Sequence, residues 1–344
     1  ILMPAGKRTL SQWVKFANSL RLRLAIRVSM SAPDLARAEV AKAMDATAGG
    51  VLESADETVA VSTESGYKNP LGTVNEGWGE VFMGATMESV LVGYNDPRLI
   101  KYYSKAEGGD IKDEKGNLII AERNKIAGTY KGVPQGTGVT VKDENRYRLH
   151  SKSTITKQTD AILMTAAEVW FLRAEAALRG FTSENVKDCY EKGITVSCQQ
   201  WGVNVGDYLT SDATPSDYVD AFEAKYDVKA LIKVTPKWDG GASPEEQLER
   251  ILTQKWIACY PEGYEAWTEQ RRTGYPQLFK VFVNNSGGAI DTNIRIRRLP
   301  YPSDIQKNNP TQYSALKKAL GGEDNGGTRL WCCLLYTSPS PRDS

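Results

Sequence analysis

Apolar residues recur at helical spacing near the start of the chain, at Trp13, Phe16, Ala17, Leu20 and Leu24, with Lys15, Arg21, Arg23 and Arg27 between them. That period predicts an amphipathic helix from about Ser11, a suitable N-cap. Ser31-Ala32-Pro33-Asp34 then breaks the chain and restarts it, because Pro is tolerated in a first turn and Asp favours a helix N-terminus. A second helix is expected to reach about Ala46, ahead of Gly49-Gly50.

From residue 51 to residue 160 the texture changes. Gly, Asn, Asp and Ser punctuate short apolar stretches, and a helical period persists only near residues 78–92. Asp113-Glu114-Lys115-Gly116-Asn117 ahead of Leu118-Ile119-Ile120 predicts a hairpin turn. Such a loop-rich excursion suits recognition better than core packing. From Ala161 the helical period returns in pairs. Leu163, Ala166, Trp170, Ala174 and Ala177 form a stripe with many small residues, closed by Gly180, and Ser183 is expected to cap a partner helix reaching about Trp201. Ser243-Pro244-Glu245-Glu246 sets up another helix running to Tyr260, and Pro261-Glu262 opens the next. The pairing is that of a tetratricopeptide-like hairpin. Beyond Pro276 the sequence reads as irregular.

Composition adds limits. The 344 residues, 41% hydrophobic and 25% charged, can bury a large core. With 43 Lys and Arg against 42 Asp and Glu, the net charge of +1 offers no bulk attraction for nucleic acid or anionic membrane. No apolar run approaches the ~20 residues of a membrane helix. The opening Ile1-Leu2-Met3-Pro4 has neither an initiator Met nor a signal peptide, so the true start, with any lipidation Cys, is expected to lie upstream. At the other end, Cys333 through Asp343 matches the translation of a transposon-end sequencing adaptor over eleven successive codons. Residues 332–344 are therefore expected to be foreign and unpacked, with Cys332 in place of a Trp. Cys189, Cys198 and Cys259 remain, with no zinc or disulfide spacing.

Several ordered segments resemble one family. The stretch 13–25, Asn95-Asp96-Pro97-Arg98-Leu99, the helix at 167–176 and the stretch 265–276, with Trp267, Arg271 and Arg272, are similar to SusD/RagB-type lipoproteins of the Bacteroidetes. So is the ending, Arg298-Leu299-Pro300-Tyr301-Pro302 followed by Gly321-Gly322 and Arg329-Leu330-Trp331. The resemblance implies a mainly α fold of tetratricopeptide-like hairpins with few short strands, forming one SusD-like domain over residues 1–331. Within it we distinguish a helical pair (1–48), a loop-rich ligand excursion (49–160), helical hairpins (161–275) and an irregular C-terminal segment (276–331). It also implies an outer-membrane, lipid-anchored, cell-surface location and capture of a nutrient, a glycan in the first instance, without catalysis and without a cofactor. The implied partner is a SusC-like TonB-dependent transporter. An α-helical glycoside hydrolase and a helical-repeat scaffold for other proteins are the rival readings.

Sugar rings present apolar faces that stack on Trp and Tyr, while their hydroxyls need amides and guanidinium groups. Trp78, Tyr94, Asn95, Arg98 and Tyr130 in the excursion, with Trp201 and Trp238 in loops after helices, are therefore the candidate ligand contacts, Trp78 foremost. Arg271 and Arg272, one helical turn from Glu265 and Glu269, read as scaffold. Glu168 and Glu175 read as hydrogen-bonded within the fold rather than as a glycosidase pair facing across a cleft. The single histidine, His150, lacks a nucleophile motif and is expected at the surface. Asp110, Asp113 and Asn117 do not have EF-hand spacing.

Overall fold

The computed structural model describes residues 3, 9–138 and 145–333. Thr9, rather than Ser11, caps the first helix, its hydroxyl accepting from the Gln12 N–H at 3.2 Å, and α1 runs Leu10–Arg27. Helix α2, Pro33–Ala43, follows with Pro33 in its first turn and buries Ala36, Val40 and Ala43 against α1. It stops short of Ala46 because the Asp45 carboxylate accepts from the Thr47 N–H and starts a separate 3-10 turn, Ala46–Ala48, which Gly49 ends at φ 93°. The inward face of α1 is made by Ser19, Leu22, Ala25 and Ile26. Trp13 and Leu24, expected on an apolar stripe, are exposed, while Arg23 and Arg27 turn inward.

The excursion is closed by a strand pair. β1, Val59–Val61, lies antiparallel to a strand at Ala161–Met164, with Val59 opposite Met164. Between them come α3 (Pro70–Thr73), continuing into a π turn over Val74–Trp78, then α4 (Ala85–Gly93) and α5 (Leu99–Tyr102). The expected hairpin is β2 (Ile111–Lys112) and β3 (Leu118–Ile120), whose turn is held by the Asp113 carboxylate accepting from the Lys115 and Asn117 N–H groups. The strand at Ala161–Met164 is β4, so Leu163 lies on a strand ahead of the helical stripe.

Helices α6 (Ala166–Leu178) and α7 (Val186–Gln200) form the central pair, with α6 also packed on α1 and on α8 (Pro244–Ala258). Helix α9 is Gly263–Thr273. Asn185, not Ser183, caps α7, while α8 has the expected Ser243/Glu246 capping box. Small residues set the spacing, since a Cβ on Gly193 of α7 would stand 2.8 Å from the buried Phe171 ring of α6. The segment after Pro276 is not irregular throughout. It contains α10 (Ser303–Asn308) and α11 (Pro310–Leu320), which bury no residue and so leave no apolar stripe to read. Among the described residues no helix is long and apolar enough to cross a membrane.

Ion pairs also join the helices. Arg272 of α9 is fully buried and donates to both oxygens of Glu175 on α6, at 2.8 and 2.7 Å, and to Glu269. Arg27 of α1 reaches Glu265 and Glu269, Arg23 grips Glu168 at 2.5 Å, and Lys255 of α8 lies 3.0 Å from Glu265. Burial opposes the charge on Glu269, yet Arg272, Lys255 and Arg27 together hold its carboxyl well below the usual carboxylate range. Glu168, Glu175 and Arg272 are scaffold, as the sequence predicts.

Two further expectations fail locally. Cys333 is buried at the end of a short turn rather than unpacked, its sulfur 3.7 Å from that of Cys332; residues 334–344 lie outside the described residues. His150 is 2% exposed rather than at the surface, edge-on to Tyr147 and near the ring of Phe222, and neither ring nitrogen has a partner among the described residues. Its position among apolar rings is local to the tertiary fold and carries no sequence period. Burial, with the charge of Lys131 adding to it, lowers its pKa to about 3. A histidine depressed in the folded state contributes stability above its unfolded pKa of ~6.5 and loses it as pH falls toward the folded value. The unfolding free energy from urea titrations should therefore drop as pH falls from ~6.5 to ~5, with a slope approaching about 1.4 kcal/mol per pH unit. His150→Phe should flatten that limb, and a variant with an unchanged slope would refute the assignment. Because Glu88 and Glu262 are raised by burial and oppose the trend, the comparison between variant and parent is the decisive quantity.

Candidate functional site

Three segments meet where α8 ends and α9 begins. The end of α8 supplies Trp256 and Cys259, and the turn after it supplies Tyr260 and Pro261. Helix α9 supplies Gly263, Ala266, Trp267 and Gln270. Facing them are Phe82, Met87 and Tyr103 of the excursion and Phe279 and Arg295 of the C-terminal segment. Together they line a cleft of about 440 Å³, within the size range of small-molecule sites. A second hollow of about 580 Å³ shares Leu71, Pro261, Glu262, Gly263 and Trp267 with it and adds Tyr264, which is 78% exposed.

The wall is rigid. Tyr260 is stacked on Tyr102 with centroids 4.2 Å apart, and its hydroxyl donates to the Tyr102 carbonyl at 2.8 Å and lies 2.6 Å from the Ser153 hydroxyl. Burial pushes that phenol up to about 12, so it is a neutral hydrogen-bonding group. Glu262 is also raised, by burial first, although its carboxylate accepts from the Glu265 N–H at 2.6 Å as the cap of α9. Polar atoms along the apolar wall come from Gln135, Ser153, Gln270 and Arg295. Such a surface can stack sugar faces and bind their hydroxyls. No group of three His, Cys, Asp or Glu among the described residues could hold a metal ion.

Trp78 stands at 62% exposure on the π turn. That turn grows out of α3, whose Leu71 lines the cleft, and ends at Gly79, beside Lys152; the Lys152 ammonium lies 5.9 Å from the ring centre of Phe82, another wall residue. The turn is seated by Gly72, where a Cβ would be 2.1 Å from the Thr156 carbonyl, and by Asn75 donating to the Ser153 and Ile155 carbonyls.

The other candidates do not gather around it. Tyr94 is 1% exposed and donates its hydroxyl to the Val234 carbonyl at 2.6 Å, so its ring faces are in the core. Arg98 is fully buried. It binds both Asp96 oxygens, at 2.9 and 2.6 Å, and reaches Ser197 and Gln254, while Tyr208 donates to Asp96. Both correct the expectation that they flank Trp78, because a buried charge needs such a full set of partners and has none to spare for a ligand. Asn95, at φ 52°, and the half-buried Tyr130 line a separate shallow groove. Trp201 packs edge-on against Tyr102, centroids 4.8 Å apart, and Trp238 lies against Tyr190 at 5.1 Å. The residues that sequence reasoning missed are Phe82, Trp256, Tyr260, Trp267 and Arg295. Trp267 sits inside one of the family-like segments, which was the available signal; the others have none.

A helical-hairpin protein with an aromatic cleft between hairpins and loops is the class that the fold defines. The chain belongs to the SusD-like family, described as Susd and RagB outer membrane lipoprotein, whose match covers residues 5–333. Its structure is similar to a SusD homologue from Bacteroides vulgatus ATCC 8482, with 51% identity and a TM-score of 0.86 over 96% of this chain and 64% of that one. A chitin-binding SusD homologue from Flavobacterium johnsoniae shares 36% identity with a TM-score of 0.84, over 94% of this chain and 64% of that one. A SusD homologue from Bacteroides thetaiotaomicron VPI-5482 shares 33% identity with a TM-score of 0.81, over 94% and 66%. The chain thus spans about two thirds of the length of these relatives. No curated protein matches the sequence.

Proposed function

We propose that this protein captures a glycan at the cell surface, without cleaving it, and passes it to a SusC-like TonB-dependent transporter. The observation that carries the proposal is the aromatic cleft between α8, α9 and the excursion, with the exposed Trp78 on an adjoining turn. Family membership and the chitin-binding relative support a sugar ligand. The carboxylates most easily imagined as a hydrolytic pair, Glu168 and Glu175, are tied to Arg23 and Arg272, which favours binding over turnover.

Calorimetric titration with a panel of oligosaccharides, chitin oligomers included, with product analysis of the same mixtures, tests this reading. Binding without released product is expected; released product would replace it with a hydrolase. Trp78→Ala should weaken glycan binding by about 1–3 kcal/mol, the range for losing an aromatic platform, and leave the melting temperature nearly unchanged. Unaltered affinity would exclude Trp78 from the site. Co-purification with a TonB-dependent transporter tests the partner.

A further inference from the structure

Arg295, which lines the cleft, and its neighbours Arg271 and Arg297 have no carboxylates to meet them. Arg295 lines the cleft, donates to the Phe279 carbonyl and leaves its Nε–H without a partner. Next to it, Trp267 is capped by the Arg271 guanidinium, 4.2 Å from the ring centroid, and donates its indole N–H to the Ile296 carbonyl at 3.1 Å. Arg271 and Arg297 donate to each other's backbone carbonyls, at 3.2 and 2.9 Å, and each also keeps an unpaired, buried Nε–H. No carboxylate of the described residues lies within ion-pair distance of these three side chains.

The arginines that join α1, α6 and α9, and the one ahead of α5, are paired differently. Arg98 and Arg272 are buried and Arg23 and Arg27 half-buried, and each of these is matched by Asp or Glu. Arg295 is half-buried in an apolar wall and has only a carbonyl, and burial alone pulls it below the ordinary guanidinium value. Arg297 is lowered in the same sense, by burial first and then by Arg329. Arg295 also sits at φ 70°, a left-handed conformation that costs a non-glycine residue free energy and concentrates at ligand sites. The one carboxylate among the residues lining the cleft, Glu262, is engaged in capping α9. An uncompensated cation in a partly desolvated wall is stabilised by a ligand that brings the missing anion, and a guanidinium suits a planar or tetrahedral oxyanion.

We infer that the cleft selects an acidic glycan, one whose sugar carries an oxyanion placed against Arg295 while its ring lies along the Trp267 wall. The inference rests on the glycan-binding reading above and names the class of sugar that it takes. The oxyanion is a uronate carboxylate or a sulfate ester, and the two bind the same group.

The test uses the full chain and calorimetry against oligomers of galacturonate and glucuronate, sulfated oligosaccharides, and their carboxyl-reduced or desulfated counterparts. The tightest ligand should be acidic and should lose about tenfold or more in affinity when its anion is removed. Whether the loss follows carboxyl reduction or desulfation tells the two sources apart. Its affinity should also fall as salt rises. Arg295→Gln should reproduce the loss for the acidic ligand and lower the affinity for its neutral counterpart much less, with thermal unfolding as a control for folding; an equal loss for both would overturn the inference. A neutral counterpart that binds the parent protein as tightly as the acidic one would overturn the inference while leaving glycan capture intact. Absence of binding to every sugar in the panel would overturn both.

Discussion

Replacing Arg272 by Met should destabilise the protein by about 3–5 kcal/mol, because the change keeps the volume and removes the cation that Glu175 and Glu269 share. The cost comes from the carboxylates left behind, both nearly inaccessible to water. It should appear as a lower urea midpoint with an unchanged denaturant slope, and 1 M salt should not restore it, since buried pairs are little screened. The pH dependence gives a second check. In the parent protein Glu269 is held well below its ordinary value, so its contribution is present above the unfolded carboxylate pKa of ~4.3 and is lost as pH falls toward the folded one. In the variant the orphaned carboxylates gain by protonating, so the deficit should narrow below about pH 5. A loss under ~1 kcal/mol at neutral pH would mean that Arg27, Arg179 and Lys255 suffice without Arg272.

Arg98→Met should cost a similar amount, about 3–5 kcal/mol, while leaving glycan affinity unchanged. Arg98 ties the turn before α5 to α7 through Ser197 and to α8 through Gln254, and Asp96 would lose its only ion-pair partner among the described residues. Burial weighs against the guanidinium charge, and Asp96 more than restores it. Adding Asp96→Asn to the variant should recover part of the loss, because the remaining amide carries no charge; the double-mutant cycle measures the coupling. Equilibrium unfolding and calorimetry on the same samples separate the possibilities. Lost sugar binding in a stable Arg98→Met variant would return Arg98 to the ligand site.

Both arginines also show how far the sequence could be read. The period from Trp13 to Leu24 correctly located α1, yet the face it marked is partly solvent-exposed, and Arg23 and Arg27 lie inward. A helical wheel scores charge as outward, and it cannot foresee that α6 and α9 bring Glu168, Glu265 and Glu269 to meet those arginines across more than 140 residues of chain. The same blindness placed His150 at the surface and Tyr94 and Arg98 beside Trp78.

The helix start at Ser243 with Glu246 was legible from local cap chemistry, as were the hairpin at Asp113 and the family-like segments that fix the fold, whereas the caps of α1 and α7 fell two residues from the expected Ser11 and Ser183. Trp78 was the foremost candidate, but its Gly77-Trp78-Gly79 setting allowed either exposure or burial, and only the structure shows it 62% exposed. Local hydrogen bonds and side-chain periods are properties of a few neighbouring residues, so the sequence alone determines them. The cleft is different: Phe82, Trp256, Trp267 and Arg295 become neighbours only when the excursion, two helices and the C-terminal segment pack together. Which aromatics were left free for a ligand, and which arginine was left without an acid, was decided by long-range packing and desolvation, which the tertiary structure alone sets.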